Sequence, residues 1–234
     1  MYIDGEIVTD EWEDSDTSAA GFRDALKSLG DVKEINLHIN SPGGSVFEGI
    51  AIYNMLKQNK AKVNIYVDAL AASIASVIAM SGDAIFMPSN SMMMIHNPYT
   101  LAVGNANELR KAADDLDQIT KASIASYLAK AGDKLDKSTL KELMDNETWL
   151  TAEEAVDYGL ADEVLEPNQA VASVNNPFAK KFKHLPEQLL KHNSVKQEDE
   201  QSSEIVKQLE EIKKRALQSS SALSIELLNI KENF

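Results

Sequence analysis

Three separated pieces of the chain carry residue types that together suit acyl transfer. Ser73 lies in Asp68-Ala69-Leu70-Ala71-Ala72-Ser73-Ile74-Ala75-Ser76, a run of small and apolar residues. The alternating stretch 63–67 before it reads as a strand, so Ser73 is expected where a strand gives way to a helix. Free N–H groups at a helix start favour negative charge. A serine hydroxyl there can attack a carbonyl, and backbone donors can hold the resulting oxyanion. Gly44, closing Ser41-Pro42-Gly43-Gly44, lets a backbone N–H approach a substrate carbonyl closely, and the N–H of Ile74 is the second candidate donor. His96 ends the apolar stretch 91–95 and is the candidate base for the Ser73 proton. Singly, a serine among alanines is a packing residue, a histidine after a strand is structural, and Pro-Gly-Gly is a turn. Their order along the chain is what points to a serine peptidase.

Positioning these residues requires strands that alternate with helices. The stretch 2–8 reads as a first strand interrupted by Gly5, and an acidic patch, 10–16, follows it. Ser18 is a candidate cap for a short helix ending at Gly30. In 34–40, Ile35, Leu37 and Ile39 point one way and Asn36, His38 and Asn40 the other. Ser41 to Gly44 reads as a turn, followed by a helix from Val46 to Leu56. Short strands are expected at 84–87 and 91–95. Asn105 and Glu108 have capping-box spacing ahead of the longest helix, whose apolar stripe includes Leu109, Leu116, Ile119, Tyr127 and Leu128 and which stops at Gly132. Ser138 is expected to cap a further helix, Thr151 and Glu154 form a second capping box, and 160–165 reads as a last strand. The alternation argues for an α/β domain with much parallel pairing.

The domain is expected to cover 1–166. Residues 167–203 are polar, contain Pro177 and Pro186, and read as a linker. Residues 204–234 regain a pattern, with Ile205, Leu209, Ile212 and Ala216, then Leu223, Leu227, Ile230 and Phe234, a coiled-coil-like seam broken by Ser219-Ser220-Ser221.

The 234 residues carry a formal charge of -14, which argues against a nucleic-acid partner. No cysteine is present, which removes thiol nucleophiles and disulfides and suits a cytoplasmic setting. The longest apolar run, 69–80, is too short to span a membrane, and residues 1–6 do not resemble a secretion signal. No metal-ligand cluster stands out among the four histidines. Ser41-Pro42-Gly43-Gly44 lacks the Gly-Lys-Ser/Thr ending of a phosphate loop. No cofactor is therefore expected, and any use of ATP falls to a partner.

Four segments, 40–46, 71–76, 94–98 and 151–155 leading to Gly159, strongly resemble the Clp protease proteolytic subunit. The resemblance runs from about residue 2 to about 166. It implies a crotonase-like spiral of β-β-α units, a long handle helix, a Ser-His-acid triad, an oxyanion hole from Gly44 and Ile74, and assembly into homo-oligomeric rings acting on protein or peptide substrates. The triad acid of the family lies just before Trp149-Leu150-Thr151. That register puts Glu147 at the position of the family's aspartate, with Asp145 the second choice. The run 147–155 and the C-terminal extension look like the Clp-like proteases of bacteriophage head assembly. That likeness implies capsid or scaffold proteins as substrates during prohead maturation, in the host cytoplasm or the prohead.

Competing readings remain open at this stage. Acyl-CoA hydratases of the same fold class also hold an oxyanion with paired N–H groups, but have no need of a serine backed by His96. A Ser-Lys dyad would need a buried lysine, and Lys57, Lys60 and Lys62 sit at a polar helix end and turn. A catalytically silent scaffold ring, or a general Clp-type protease fed by an AAA+ unfoldase, would keep the same fold.

Overall fold

The computed structural model describes residues 1–167 and 182–186. The C-terminal seam at 204–234, and most of the stretch 167–203, lie outside the described residues. In chain order the elements are β1 (Tyr2–Ile7), α1 (Ala19–Ser28), β2 (Glu34–Gly44), α2 (Val46–Lys57), β3 (Lys62–Ala72) and α3 (Ile74–Ala79), then β4 (Ala84–Pro88), β5 (Met92–Ile95) and α4 (Ala106–Ala131). A single 3-10 turn, Gly132–Lys134, leads to α5 (Lys137–Asp145), β6 (Thr148–Thr151), α6 (Ala152–Asp157) and β7 (Glu163–Leu165). The domain is mixed α/β with a mainly parallel sheet and one long helix, as expected from the alternation of elements.

The sheet runs β1-β2-β3-β4-β7, with β5 added to β3 and β6 added to β5. All pairs are parallel except β5 with β6. Ile35, Leu37 and Ile39 of β2 and Val63, Ile65 and Val67 of β3 are buried, so their alternation aims one face at the helices. On the other face Tyr2, His38, Tyr66 and Phe86 stand in register on four adjacent strands, their ring centroids 5.0, 5.0 and 4.9 Å apart. That spacing is close to the strand separation itself, so the sheet sets the stack.

The sequence reading departs from the structure at several points. Ser41 to Gly44 is not a turn. It continues β2, because β1 runs alongside far enough to pair Glu6 with Gly43 and Ile7 with Gly44 after an irregularity at Gly5. β3 likewise continues through the alanines as far as Ala72. β6 was missed because four residues, Thr148–Thr151, show little periodicity of their own; pairing with β5 makes them a strand. Asp136, not Ser138, caps α5, its carboxylate accepting from the N–H groups of Ser138 and Thr139. Capping boxes at Asn105 with Glu108 and at Thr151 with Glu154 form as expected.

Two elements hold the turn between β3 and α3. Every residue of α3 is buried, which is why it is apolar on every face apart from Ser76 rather than amphipathic. Only the C-terminal half of α4 enters the core, through Ser123, Ile124, Tyr127 and Ala131, while Leu109 in its first turn is 44% exposed. The stripe expected from Leu109 to Leu128 is thus used against this domain along only part of its length. Tyr127 reaches α3: its hydroxyl lies 2.7 Å from Ser76 Oγ. Ser76 Oγ donates its one proton to the Ser73 carbonyl at 2.6 Å, so Tyr127 is the donor in the Tyr127–Ser76 bond. Burial pushes the Tyr127 phenol well above its ordinary pKa, which keeps that proton in place. Tyr127→Phe removes this bond without opening a cavity and should destabilise the fold by about 1 kcal/mol. Denaturant unfolding against the unmodified protein checks it.

Candidate active site

The end of β3 delivers Ser73 in a conformation that its residue type resists. Ser73 has φ 56° and ψ -127°, a region costing a non-glycine residue about 1–3 kcal/mol. The strain is tied down from several sides. Its N–H donates to Met94 O at 2.9 Å, and its carbonyl accepts from Ser76 N at 3.0 Å as well as from Ser76 Oγ. The strained turn turns the side chain out of the sheet, while Ile74 and the rest of α3 stay buried.

His96 follows β5, which pairs with the last turn of β3 through Leu70–Met92, Ala71–Met93 and Ala72–Met94. Its Nε2 is 2.7 Å from Ser73 Oγ. Burial depresses the His96 pKa; the negative charge of Glu147 works in the opposite direction, and the positive charge of Lys183 adds to the depression. The imidazole is therefore neutral over most of the physiological range. In its Nδ1-protonated tautomer the Ser73 hydroxyl donates to Nε2, the arrangement needed for proton removal.

The two carboxylates weighed from the sequence have different surroundings. Asp145, at the end of α5, is exposed. Its pKa is lowered by the hydrogen bond from Lys141 Nζ and then by that from Asn97 Nδ2, at 2.6 and 2.7 Å. Glu147 is 8% exposed and is the carboxylate whose charge acts on His96. The coupling is through charge, with no direct hydrogen bond between them among the described residues. The Glu147 carboxylate instead accepts from the His184 backbone N–H, at 2.7 Å to Oε1. Strand register explains why Glu147, and not Asp145, is the carboxylate whose charge acts on His96. β5 and β6 are antiparallel and end with Ile95 opposite Thr148, so one step further sets His96 across from Glu147. Glu147 takes φ 51° just past the α5 cap, a position where glycine is usual. Among the described residues, Ser73 and Glu147 are the two non-glycine residues with positive φ.

A cleft of about 400 Å³ opens beside Ser73, lined by Pro42, Gly43, Gly44, His96, Tyr99 and Phe182 among others. Gly43 has φ 90°, and a Cβ there would come within 2.7 Å of Ser73 Cβ and 3.1 Å of Ile74 N. Gly44 has φ 150°, and a Cβ on it would strike Ile7 O at 2.0 Å. Both glycines are required by close approach, Gly43 toward the serine and Gly44 toward β1. Of the two, Gly44 is the candidate donor, and Gly43 is the one that comes close to the serine. Phe182, in the stretch that reads as a linker, stands 6.4 Å from the His96 ring. Nothing in the local composition around 182 distinguishes it from that linker. Among the described residues no cluster of His, Cys, Asp or Glu could hold a metal ion, and no helix is long and apolar enough to cross a membrane.

A family model described as Clp protease matches residues 14–168. The chain belongs to the Clp protease family. It is 34% identical over 173 residues to the ATP-dependent Clp protease proteolytic subunit of Ligilactobacillus salivarius, covering 73% of this chain and 85% of that one. It is also 34% identical over 149 residues to the protein of the same description from Porphyromonas gingivalis, covering 62% of this chain and 65% of that one. The chain is thus a serine-type endopeptidase of the Clp family, in agreement with the reading from its motifs.

The electrostatics of this Clp protease site predict a pH profile. A general base must be neutral, so kcat/KM should rise with pH through the His96 pKa, with a midpoint below the ordinary histidine value of 6.5. Glu147→Gln removes the charge that stabilises the imidazolium. The midpoint should then fall further while the plateau rate drops. Peptide hydrolysis followed across pH checks both; an upward shift in Glu147→Gln would contradict the charge coupling.

Proposed function

We propose that this Clp-family endopeptidase uses Ser73 as nucleophile, His96 as general base and Glu147 as the acid that orients and stabilises the imidazole, with the N–H groups of Gly44 and Ile74 as oxyanion hole. The observation carrying the reading is the 2.7 Å approach of His96 Nε2 to Ser73 Oγ at a strained strand-to-helix turn beside an open cleft. Ser73 Oγ attacks the scissile carbonyl as its proton passes to His96 Nε2. The carbonyl oxygen becomes an oxyanion held by the two N–H groups. His96 then protonates the leaving amine, and the C–N bond breaks to give an acyl-Ser73 ester. Water, deprotonated by His96, hydrolyses the ester and restores the serine.

The test is substitution with a small peptide substrate and a serine-reactive fluorophosphonate. Ser73→Ala and His96→Ala should each abolish turnover, and Ser73→Ala should also abolish labelling. Glu147→Gln should be severely impaired, since losing the acid of a serine triad costs about 10⁴ in kcat, and Asp145→Asn should be nearly normal. Undiminished turnover by Ser73→Ala would sink the assignment, and an inactive Asp145→Asn beside an active Glu147→Gln would transfer the acid's role to Asp145.

The natural substrates proposed are capsid or scaffold proteins processed during prohead maturation, in the host cytoplasm or the prohead. A glutamate as triad acid and a chain that extends past the family match at 168 support that reading. The relatives' description as subunits of an ATP-dependent protease favours a second reading, a general protease fed by an AAA+ unfoldase. Degradation of an unfolded host protein only in the presence of such an ATPase, with capsid precursors left intact, would decide for the second.

Assembly into a homo-oligomeric ring is proposed with either substrate. Tyr99, Leu101 and Val103 and the first turn of α4 carry exposed apolar side chains, which supports a contact between copies. Light scattering should give an assembly larger than a trimer. Its association should strengthen with salt, because a chain of net charge -14 repels its copies. A monomer at moderate salt would refute it.

A further inference from the structure

The short described segment 182–186 lies beyond the residues matched to the family, yet it touches the site at three places. The His184 backbone N–H donates to Glu147 Oε1 at 2.7 Å. The Phe182 ring stands edge-on to Trp149, at 5.3 Å and 87°, and also meets the His96 ring edge-on, at 6.4 Å and 68°. Leu185, with Phe182, packs on Ala69, Leu70, Ala72 and Met94, the residues that end β3 and β5 just before Ser73 and His96. We propose that residues 182–186 are a working part of the active site. The His184 N–H is a positioning donor for the Glu147 carboxylate, and Phe182 is a wall that fixes the His96 ring and borders the substrate cleft. This rests on the triad reading above.

Three observations favour a supporting role over a blocking one. The segment borders the cleft beside Ser73 without filling it, and about 400 Å³ remains open there. The Ser73–His96 hydrogen bond is intact with the segment in place. The donor offered to Glu147 is a backbone N–H, which holds one carboxylate oxygen at a fixed point beside the site. A glutamate also has one more rotatable bond than an aspartate, hence more freedom to lose. A backbone donor at Oε1 restricts that freedom. The charged groups acting on His96 are then Glu147, from the turn before β6, which favours the imidazolium, and Lys183, from the segment itself, which disfavours it, so the support offered by the segment lies in its N–H and its ring and not in its charge.

The test uses the full-length protein and two readouts, the rate of fluorophosphonate labelling and the pH profile of peptide hydrolysis. His184→Pro deletes the donor N–H, whereas His184→Ala keeps it. His184→Pro should therefore label about tenfold or more slowly than His184→Ala, the loss expected for a hydrogen bond to a charged group. The acid-side midpoint of kcat/KM should also move down, because the carboxylate is no longer held at a fixed point. Phe182→Ala should slow labelling and raise KM, and Phe182→Leu should recover part of the loss. Equal rates for the two His184 variants, with Phe182→Ala as fast as the parent, would overturn the proposal while leaving the triad reading standing. Faster labelling in His184→Pro or Phe182→Ala would also overturn it, by showing that the segment is a brake. A parent protein that hydrolyses nothing and does not label on Ser73 would overturn the triad reading and this proposal with it.

Discussion

The site depends on one unfavourable turn. Between β3 and α3 the chain must change from extended to helical within a single residue, and that residue is Ser73 at φ 56°. A glycine would sit there more easily but has no hydroxyl. The conformation persists because its neighbours over-determine it. Met94 O takes the N–H, Ser76 takes the carbonyl with both N–H and hydroxyl, and Tyr127 holds Ser76 from the far side. A penalty of about 1–3 kcal/mol is modest against such a set of buried bonds. The apolar helix α3, the inserted half of α4 and the paired end of β5 can all be understood as the support this turn requires.

Glu147 repeats the same solution on a smaller scale. It too has positive φ, it too lies where one element gives way to another, and it too is buried. Strain in a folded chain gathers where side-chain direction matters more than backbone comfort. That two such non-glycine residues occur among the described ones, and that they flank the same histidine, is an independent reason to consider them together.

Much of this was legible in the sequence, for reasons that differ between elements. Ser73 and His96 could be placed because strong local patterns precede them, an alternating strand in one case and an apolar run in the other. Glu147 over Asp145 could be chosen only through the register of Trp149-Leu150-Thr151, since nothing local reveals that 148–151 is a strand. The Ser41 to Gly44 segment was misread because proline and glycines signal a turn when considered alone; only the presence of β1 alongside makes them extended. Phe182 and His184 were invisible because their importance comes wholly from what they touch. A backbone N–H carries no residue-type signal at all.

The register of β3, β5 and β6 decides whether three distant side chains meet. Ser73 and His96 each stand one step past the end of a strand and Glu147 one step before the start of one, and the three strands are neighbours in the sheet although distant along the chain. A slip of one residue in either pairing would turn a side chain to the opposite face. Glu147 and β6 come later in the chain than Ser73, His96 and the strands that carry them. The three side chains therefore come together only when both pairings, β3 with β5 and β5 with β6, are in place.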